Sequence, residues 1–165
     1  MQKDGQPLTF TLMSLSTDTW TKSAQVIQSQ LKQIGVGMDI QTFDFATLLA
    51  KEKAGEQQAG FQGYTYTSPD IVFLWFHSSN IGSGLTLSHY SDPKLDQLIV
   101  DSRTISDDTK RLSIYQDIQK YIVDQALWVP LWTNYNYLGL QKRIEGAKLH
   151  PDGYMLLNDA TVKTK

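Results

Sequence analysis

The sequence contains no cysteine. That removes disulfides, thiolate nucleophiles, Cys-ligated zinc and iron–sulfur clusters. Charge is scarce as well: Asp, Glu, Lys and Arg make up 19% of 165 residues, and 15 basic against 17 acidic side chains leave a formal charge of -2. With no basic field to attract phosphates, nucleic acid is not an expected partner. Long apolar runs are also missing. The most apolar, Ile71-Val-Phe-Leu-Trp-Phe76, falls far short of the roughly 20 residues that cross a bilayer as a helix. Met1 to Pro7 holds no apolar stretch of signal-peptide type, so the chain is expected to be either cytoplasmic or a piece excised from something larger. What is present is polarity without charge: Ser, Thr, Gln and Asn together with 4 Trp, 8 Tyr and 6 Phe. Such a surface suits neutral hydrogen bonding and stacking better than ionic recognition.

Catalytic and metal-binding patterns are equally thin. His77, His89 and His150 stand far apart with no Asp or Glu at ligand spacing, so they read as polar loop residues and no metal or other cofactor is expected. There is no Gly-x-Ser-x-Gly elbow, and Gly82-Ser-Gly84 lacks the Lys and the glycine spacing of a phosphate cradle. Asp107-Asp108 sits where a helix N-terminus favours negative charge. Asp70, Asp96 and His89 are the remaining candidates for an enzyme, but nothing supplies a base–nucleophile pair. The chain is read as a binding protein without enzymatic activity.

Patterning gives an α/β chain. Leu8 to Met13 alternates apolar residues with Thr, as a half-buried strand does, after a turn signal at Asp4-Gly5-Gln6-Pro7. Ser16-Thr-Asp18 offers caps for a helix carrying Ala24, Ile27, Leu31 and Ile34, stopped by Gly35. Val36, Met38 and Ile40 alternate in a second strand, and Asp44 caps a short helix from Phe45 to about Ala54, closed by Gly55. A third strand is expected over Ala59–Thr67, followed by a helix with Ser68 as cap and Pro69 as first residue. This alternation implies a largely parallel sheet covered by helices.

In the second half, 78–90 reads as a polar loop. Ser91-Asp-Pro-Lys opens a helix with Leu95, Leu98 and Ile99, and Ser106-Asp-Asp opens one with Leu112, Tyr115, Ile118 and Ile122 on one face. Leu127, Val129 and Leu131 alternate with Trp128, Pro130 and Trp132, which predicts a strand with Pro130 at an edge or hinge. The tail from about Tyr135 has no helix and too few alternating residues for a sheet of its own, so its partners are expected elsewhere.

The most distinctive segment is Tyr64-Thr-Tyr-Thr-Ser-Pro-Asp70. It lies at the carboxyl end of an expected parallel strand, the edge where open α/β sheets bind ligands. Strand alternation would put Tyr64 and Tyr66 on one face, as ligand-facing residues or as packing under the next helix. Trp128 and Trp132 would share a face as a core stripe or a stacking wall.

Taken in order, several motifs resemble one lobe of the family 5 extracellular solute-binding proteins, the receptors of peptide and related ABC importers. They are Asp4-Gly-x-Pro-Leu8, Ile27-x-x-x-Leu-x-x-Ile-Gly-Val36, Phe43-Asp-Phe-Ala-Thr-Leu48, Gly63-Tyr64 before Pro69-Asp70, Tyr90-Ser-Asp-Pro-Lys-Leu-Asp96, Asp107-Asp-x-x-Lys-Arg111 with Tyr115, and Val129-Pro-Leu-Trp132. The resemblance implies a type II periplasmic-binding-protein-like lobe, with a mixed, mostly parallel sheet flanked by helices. Residues 1–134 would be the C-terminal lobe, and 135–165 closing strands that return to another lobe. An excised lobe would also explain both the absent signal and the partnerless tail.

The family's mechanism would then be hinge closure of two lobes over a peptide-like or oligosaccharide-like solute, presented to a membrane permease outside the cytoplasm by a membrane-tethered full-length protein. The implied ligand-binding residues are Tyr64, Thr65, Tyr66 and Thr67, with Ser88, Trp132 and Asn134. In the family the segment reads Gly-Trp followed by an Asp that receives a peptide's amino terminus; here Tyr64 is the aromatic and Thr67 stands nearest that Asp. The loss of a charge-assisted bond, roughly 1.5–3 kcal/mol, puts ordinary peptides in doubt and favours a neutral, hydroxyl-rich ligand such as an oligosaccharide. The tail is expected to make the fragment associate with itself. The competing reading is a stand-alone protein–protein interaction domain.

Overall fold

The computed structural model describes residues 2, 3 and 6–163. Asp4 and Gly5 of the first turn signal lie outside the described residues. A short antiparallel pair, β1 (Gln2–Lys3) and β2 (Gln6–Pro7), leads into β3 (Thr9–Leu15). Helix α1 (Asp18–Gln33) returns the chain to β4 (Gly37–Phe43), and α2 (Phe45–Lys53) carries it to β5 (Ala59–Phe61). The three longer strands form a parallel sheet in the order β4-β3-β5, with Thr9 opposite Gly37 and Leu12 opposite Ala59. Leu12, Met13 and Ser14 are buried one after another, because the central strand is covered on both faces.

The local chemistry explains these boundaries. Ala24, Ile27 and Leu31 of α1 pack on Leu12, Met38 and Phe61, and the Gln28 amide donates to the Met38 carbonyl at 2.6 Å. The helix ends where Gly35 adopts φ +76°; its N–H bonds to Lys32 O and that of Val36 to Leu31 O, the paired closure that a left-handed residue permits. At the start of α2, Asp44 accepts from the Thr47 N–H at 3.0 Å.

A second core lies among α3 (Ile71–Phe76), α4 (Pro93–Thr104) and α5 (Asp108–Asp124), with a 3-10 turn at Ser78–Asn80 between α3 and α4. Phe76, Leu95, Ile99, Ile118 and Ile122 form its buried centre. Asp92 caps α4 through the Lys94 N–H at 2.7 Å and accepts the hydroxyls of Tyr121 and Tyr90, which ties α4 to α5. Those donors, Tyr121 first, hold its carboxyl below the usual range. Asp107 starts α5 by accepting from the Lys110 N–H at 2.9 Å.

The structure departs from the sequence pattern in five places. The third strand stops at Phe61, because its only neighbour, β3, ends at Leu15, one step beyond the last pair Ser14–Phe61; residues 62–67 therefore leave the sheet and lose strand alternation. The following helix starts at Ile71, with Ser68 and Pro69 in the turn before it, where Ser68 O accepts from the Ile71 N–H. Leu112 is 60% exposed, since six residues at 3.6 per turn set it about 120° around α5 from Ile118. Residues 127–132 form no strand, as no sheet edge runs alongside. The tail does pair with itself: β6 (Ile144–Glu145) with β9 (Thr161–Val162), and β7 (Lys148–Leu149) with β8 (Met155–Leu156). Among the described residues, none after Ile122 is buried.

Candidate functional site

The chain leaves β3 through α1 for one neighbour, β4, and crosses back through α2 to the other, β5, so the carboxyl edge between β3 and β5 is the switch point of the sheet. Two aromatic groups meet there. Trp20, in the first turn of α1, meets Phe61 edge to face at 4.8 Å, and Trp132 closes the group at 6.1 Å from Trp20 and 5.7 Å from Phe61. Next to it Tyr64 lies 5.0 Å from Trp75 and stacks at 13° on Trp128, which also contacts Phe76 at 4.8 Å. Trp128 thus reaches the helical core and Trp132 the sheet core, so the intervening segment is a strap across the seam between them. The backbone at Gly63 passes over Trp20 so closely that a Cβ would come 2.6 Å from Cη2, which leaves room only for glycine.

Beneath Tyr64 runs a polar chain. Its hydroxyl donates to Gln62 Oε1 at 2.9 Å, and Gln62 Nε2 donates to the carboxylate of Glu52. Glu52 is 1% exposed, and its carboxylate lies where a side chain at residue 60 would be: a Cβ on Gly60 would sit 2.5 Å from Oε1. Burial raises its pKa to about 7, against the opposing effect of the Gln62 bond. Burial first, and the Glu52 charge second, raise Tyr64 to about 12. Behind α2, His89 donates from Nε2 to the Glu52 carbonyl at 2.8 Å.

The expected site residues distribute unevenly. Tyr64 is half-buried in the seam, whereas Thr65 and Tyr66 are exposed. Thr67 donates from Oγ1 to Asp152 Oδ2 at 3.2 Å, a contact across 85 positions that brings the tail to this segment. Trp132 donates from Nε1 to Asn134 Oδ1 at 3.0 Å. Ser88 is exposed in a separate loop, where its hydroxyl accepts from the Tyr90 N–H at 3.4 Å. Asp70 pairs with Arg103 at 2.8 Å, and Asp96 accepts from the Ser78 N–H at 2.8 Å, so both hold structure. Trp20, Trp75, Glu52, Gln62 and Asp152 were not singled out from sequence. For Glu52 a signal existed: it follows Leu48 by four and shares its helix face.

The parallel α/β sheet flanked by helices has the fold of a lobe of the type II periplasmic binding proteins, as its likeness to solved structures shows. The structure of HbpA2 from Haemophilus parasuis superposes on 97% of this chain and 33% of its own, with a TM-score of 0.79 and 25% identity. Among curated proteins, a probable di/tripeptide-binding protein 5 of Pseudomonas aeruginosa is 29% identical over 143 residues, covering 85% of this chain and 27% of its own length. The oligopeptide-binding protein AppA of Bacillus subtilis is 27% identical over 154 residues, covering 92% of this chain and 28% of its own. No protein-family model matches. The chain thus spans about a quarter of the curated relatives it matches, and the resemblance to family 5 solute-binding proteins is borne out over that span. These relatives are named as binding proteins, not as enzymes.

Proposed function

We propose that this chain is the ligand-binding lobe of an ABC importer's solute-binding protein, working outside the cytoplasmic membrane, and that it holds a peptide-like solute by its ammonium end. It binds and does not catalyse. Residues 1–134 act as the lobe and 135–165 as the closing segment, with hinge closure against a second lobe and delivery to a membrane permease completing the cycle.

The observation that carries the peptide reading is Asp152. Its side chain is 27% exposed; one oxygen accepts from Thr67, and the other is buried without a hydrogen-bond partner among the described residues. His150 Nδ1, 3.5 Å from the carboxylate, accepts from the Asp152 N–H at 3.1 Å, so that nitrogen has no proton to offer it. A half-buried carboxylate with an idle oxygen favours a cationic donor. This supports an ammonium ligand beside Thr67, where the sequence alone argued for a neutral one, and the names of the relatives point the same way.

The neutral walls of Tyr64, Trp128 and Trp132 favour an oligosaccharide as the second reading. Chemical-shift mapping of the labelled chain with millimolar trialanine, N-acetyl-trialanine and maltotriose separates the two. Trialanine is expected to shift the Thr67 and Asp152 amides and the Trp132 indole, with the Thr67 and Asp152 response lost for the acetylated peptide and in Asp152→Asn. A response to maltotriose alone would replace the peptide reading. Binding is expected to be weak, because the lone lobe encloses only part of a ligand. Tyr135 and Tyr137, 84% and 88% exposed, support self-association of the isolated chain, which sedimentation velocity would register as a concentration-dependent rise in mass.

A further inference from the structure

We propose that Glu52 and Gln62 are positioning residues that fix the hydrogen-bonding polarity of Tyr64, so that Tyr64 offers the ligand a lone pair and selects a hydrogen-bond donor there. The inference rests on the reading of Tyr64 as a ligand-facing residue.

Once ionised, the Glu52 carboxylate only accepts, so the Gln62 group facing it must then be its NH2. The amide oxygen then faces outward, and an amide oxygen only accepts. The one proton of the Tyr64 hydroxyl is therefore committed to Gln62, at 2.9 Å, and what remains on the phenol oxygen for a ligand is a lone pair. The ring is held independently by Trp75 and Trp128, so the relay sets the direction of the hydroxyl proton and not the place of the ring. Gly60 is what admits the carboxylate to this position.

Protonation of Glu52 releases the constraint. The neutral acid can donate to Gln62 Oε1 once the amide turns over, Nε2 then faces Tyr64, and the phenol proton is free to point at the ligand. The elements packed on Glu52 bring few other charges to it. His89 faces it from the 85–90 loop, through the Glu52 backbone carbonyl, and Tyr64 faces it through Gln62. On α2 itself Lys51 pairs with Glu56 and Lys53 is half-buried in the last turn beside Glu52, β3 has no charged residue, and Asp39 of β4 is exposed. Among the described residues no cation pairs with the Glu52 carboxylate, so its ionisation is left to burial, which places it near neutral pH.

The test has a ligand-free arm and a ligand arm. With 13Cζ-labelled tyrosine in the whole 165-residue chain, the Tyr64 signal is expected to shift between pH 5 and 8.5 with a single midpoint near that of Glu52. The step should vanish in Glu52→Gln and in Gln62→Met and persist in Thr67→Val, with unchanged circular dichroism confirming that each variant folds. A step that survives Glu52→Gln, or is absent from the wild type, overturns the relay. In the ligand arm, trialanine affinity is expected to fall about tenfold in Tyr64→Phe, the loss of one hydrogen bond. Glu52→Gln should weaken it about threefold at pH 8 and leave it unchanged at pH 5.5; equal effects at both pH values overturn the selection. A pH step in the free chain without any response to trialanine leaves the relay standing and removes the peptide reading instead.

Discussion

Glu52 lies four residues after Leu48 on the buried face of α2, and both are almost fully enclosed. A charged residue on the apolar face of a helix either finds a partner or stays neutral; with only a neutral amide available, Glu52 takes up a proton that the unfolded chain would release. The sign follows. Its pKa is raised from the ordinary 4.5 to about 7 in the fold, so its contribution is fully present below pH 4.5 and fades as pH rises through 7, amounting to on the order of 3 kcal/mol lost by pH 8. Urea unfolding of the wild type at pH 5 and pH 8 is expected to show this slope, and Glu52→Gln to flatten it; an equally steep variant would place the titrating group elsewhere. Gly63 gives a second expectation at this scale. Gly63→Ala must push the Trp20 indole aside, at about 1–3 kcal/mol, and near-UV circular dichroism should lose part of its tryptophan signal. Glu52 was legible in principle from its spacing. Asp152 was not, since nothing near it in sequence ties it to Thr67.

Elements were legible where one local rule sufficed. The two capped helices after Asp92 and Asp107, the Gly35 stop and the alternation in β3 and β4 all reflect chemistry within a few residues. The failures came where a neighbour decides. Residues 62–67 and 127–132 alternate like strands, but a strand exists only beside another edge, and β3 ends too soon to offer one. The α5 face shows a finer miss, because spacings of three accumulate a phase error of about 60° per step. Ile118 is fully buried between α4 and α5, whereas Leu112 is 60% exposed. Ile118→Ala is therefore expected to cost about 2–5 kcal/mol and Leu112→Ala less than about 0.5. Thermal melts of the two variants check this, and comparable losses would mean that α5 is rotated from the placement described.

On the scale of the whole molecule, surface is the telling quantity. The chain exposes 11521 Å², about 40% more than the roughly 8,300 Å² of a compact monomer of its mass. Most of the second half's exposed apolar side chains lie after Ile122, in the strap and the tail: Val129 is 75% exposed, Tyr137 88% and Val162 64%. The buried centres of the sheet core and the helical core both end by that point; Leu127, Trp128 and Trp132 pack against them from outside, and the described tail adds no residue to either. The tail's attachment is polar, through Thr67 and Asp152. Stability and ligand recognition should therefore separate on truncation. A chain ending at Asn134 keeps the Trp128 and Trp132 strap with its Asn134 bond, so it is expected to unfold cooperatively with a midpoint within about 4 °C of the full chain. It loses the Asp152 carboxylate, and with it the trialanine response at Thr67. A truncated chain that melts far earlier would make the tail part of the fold, and one that still answers to trialanine at Thr67 would take the ammonium from Asp152 and give it to another group.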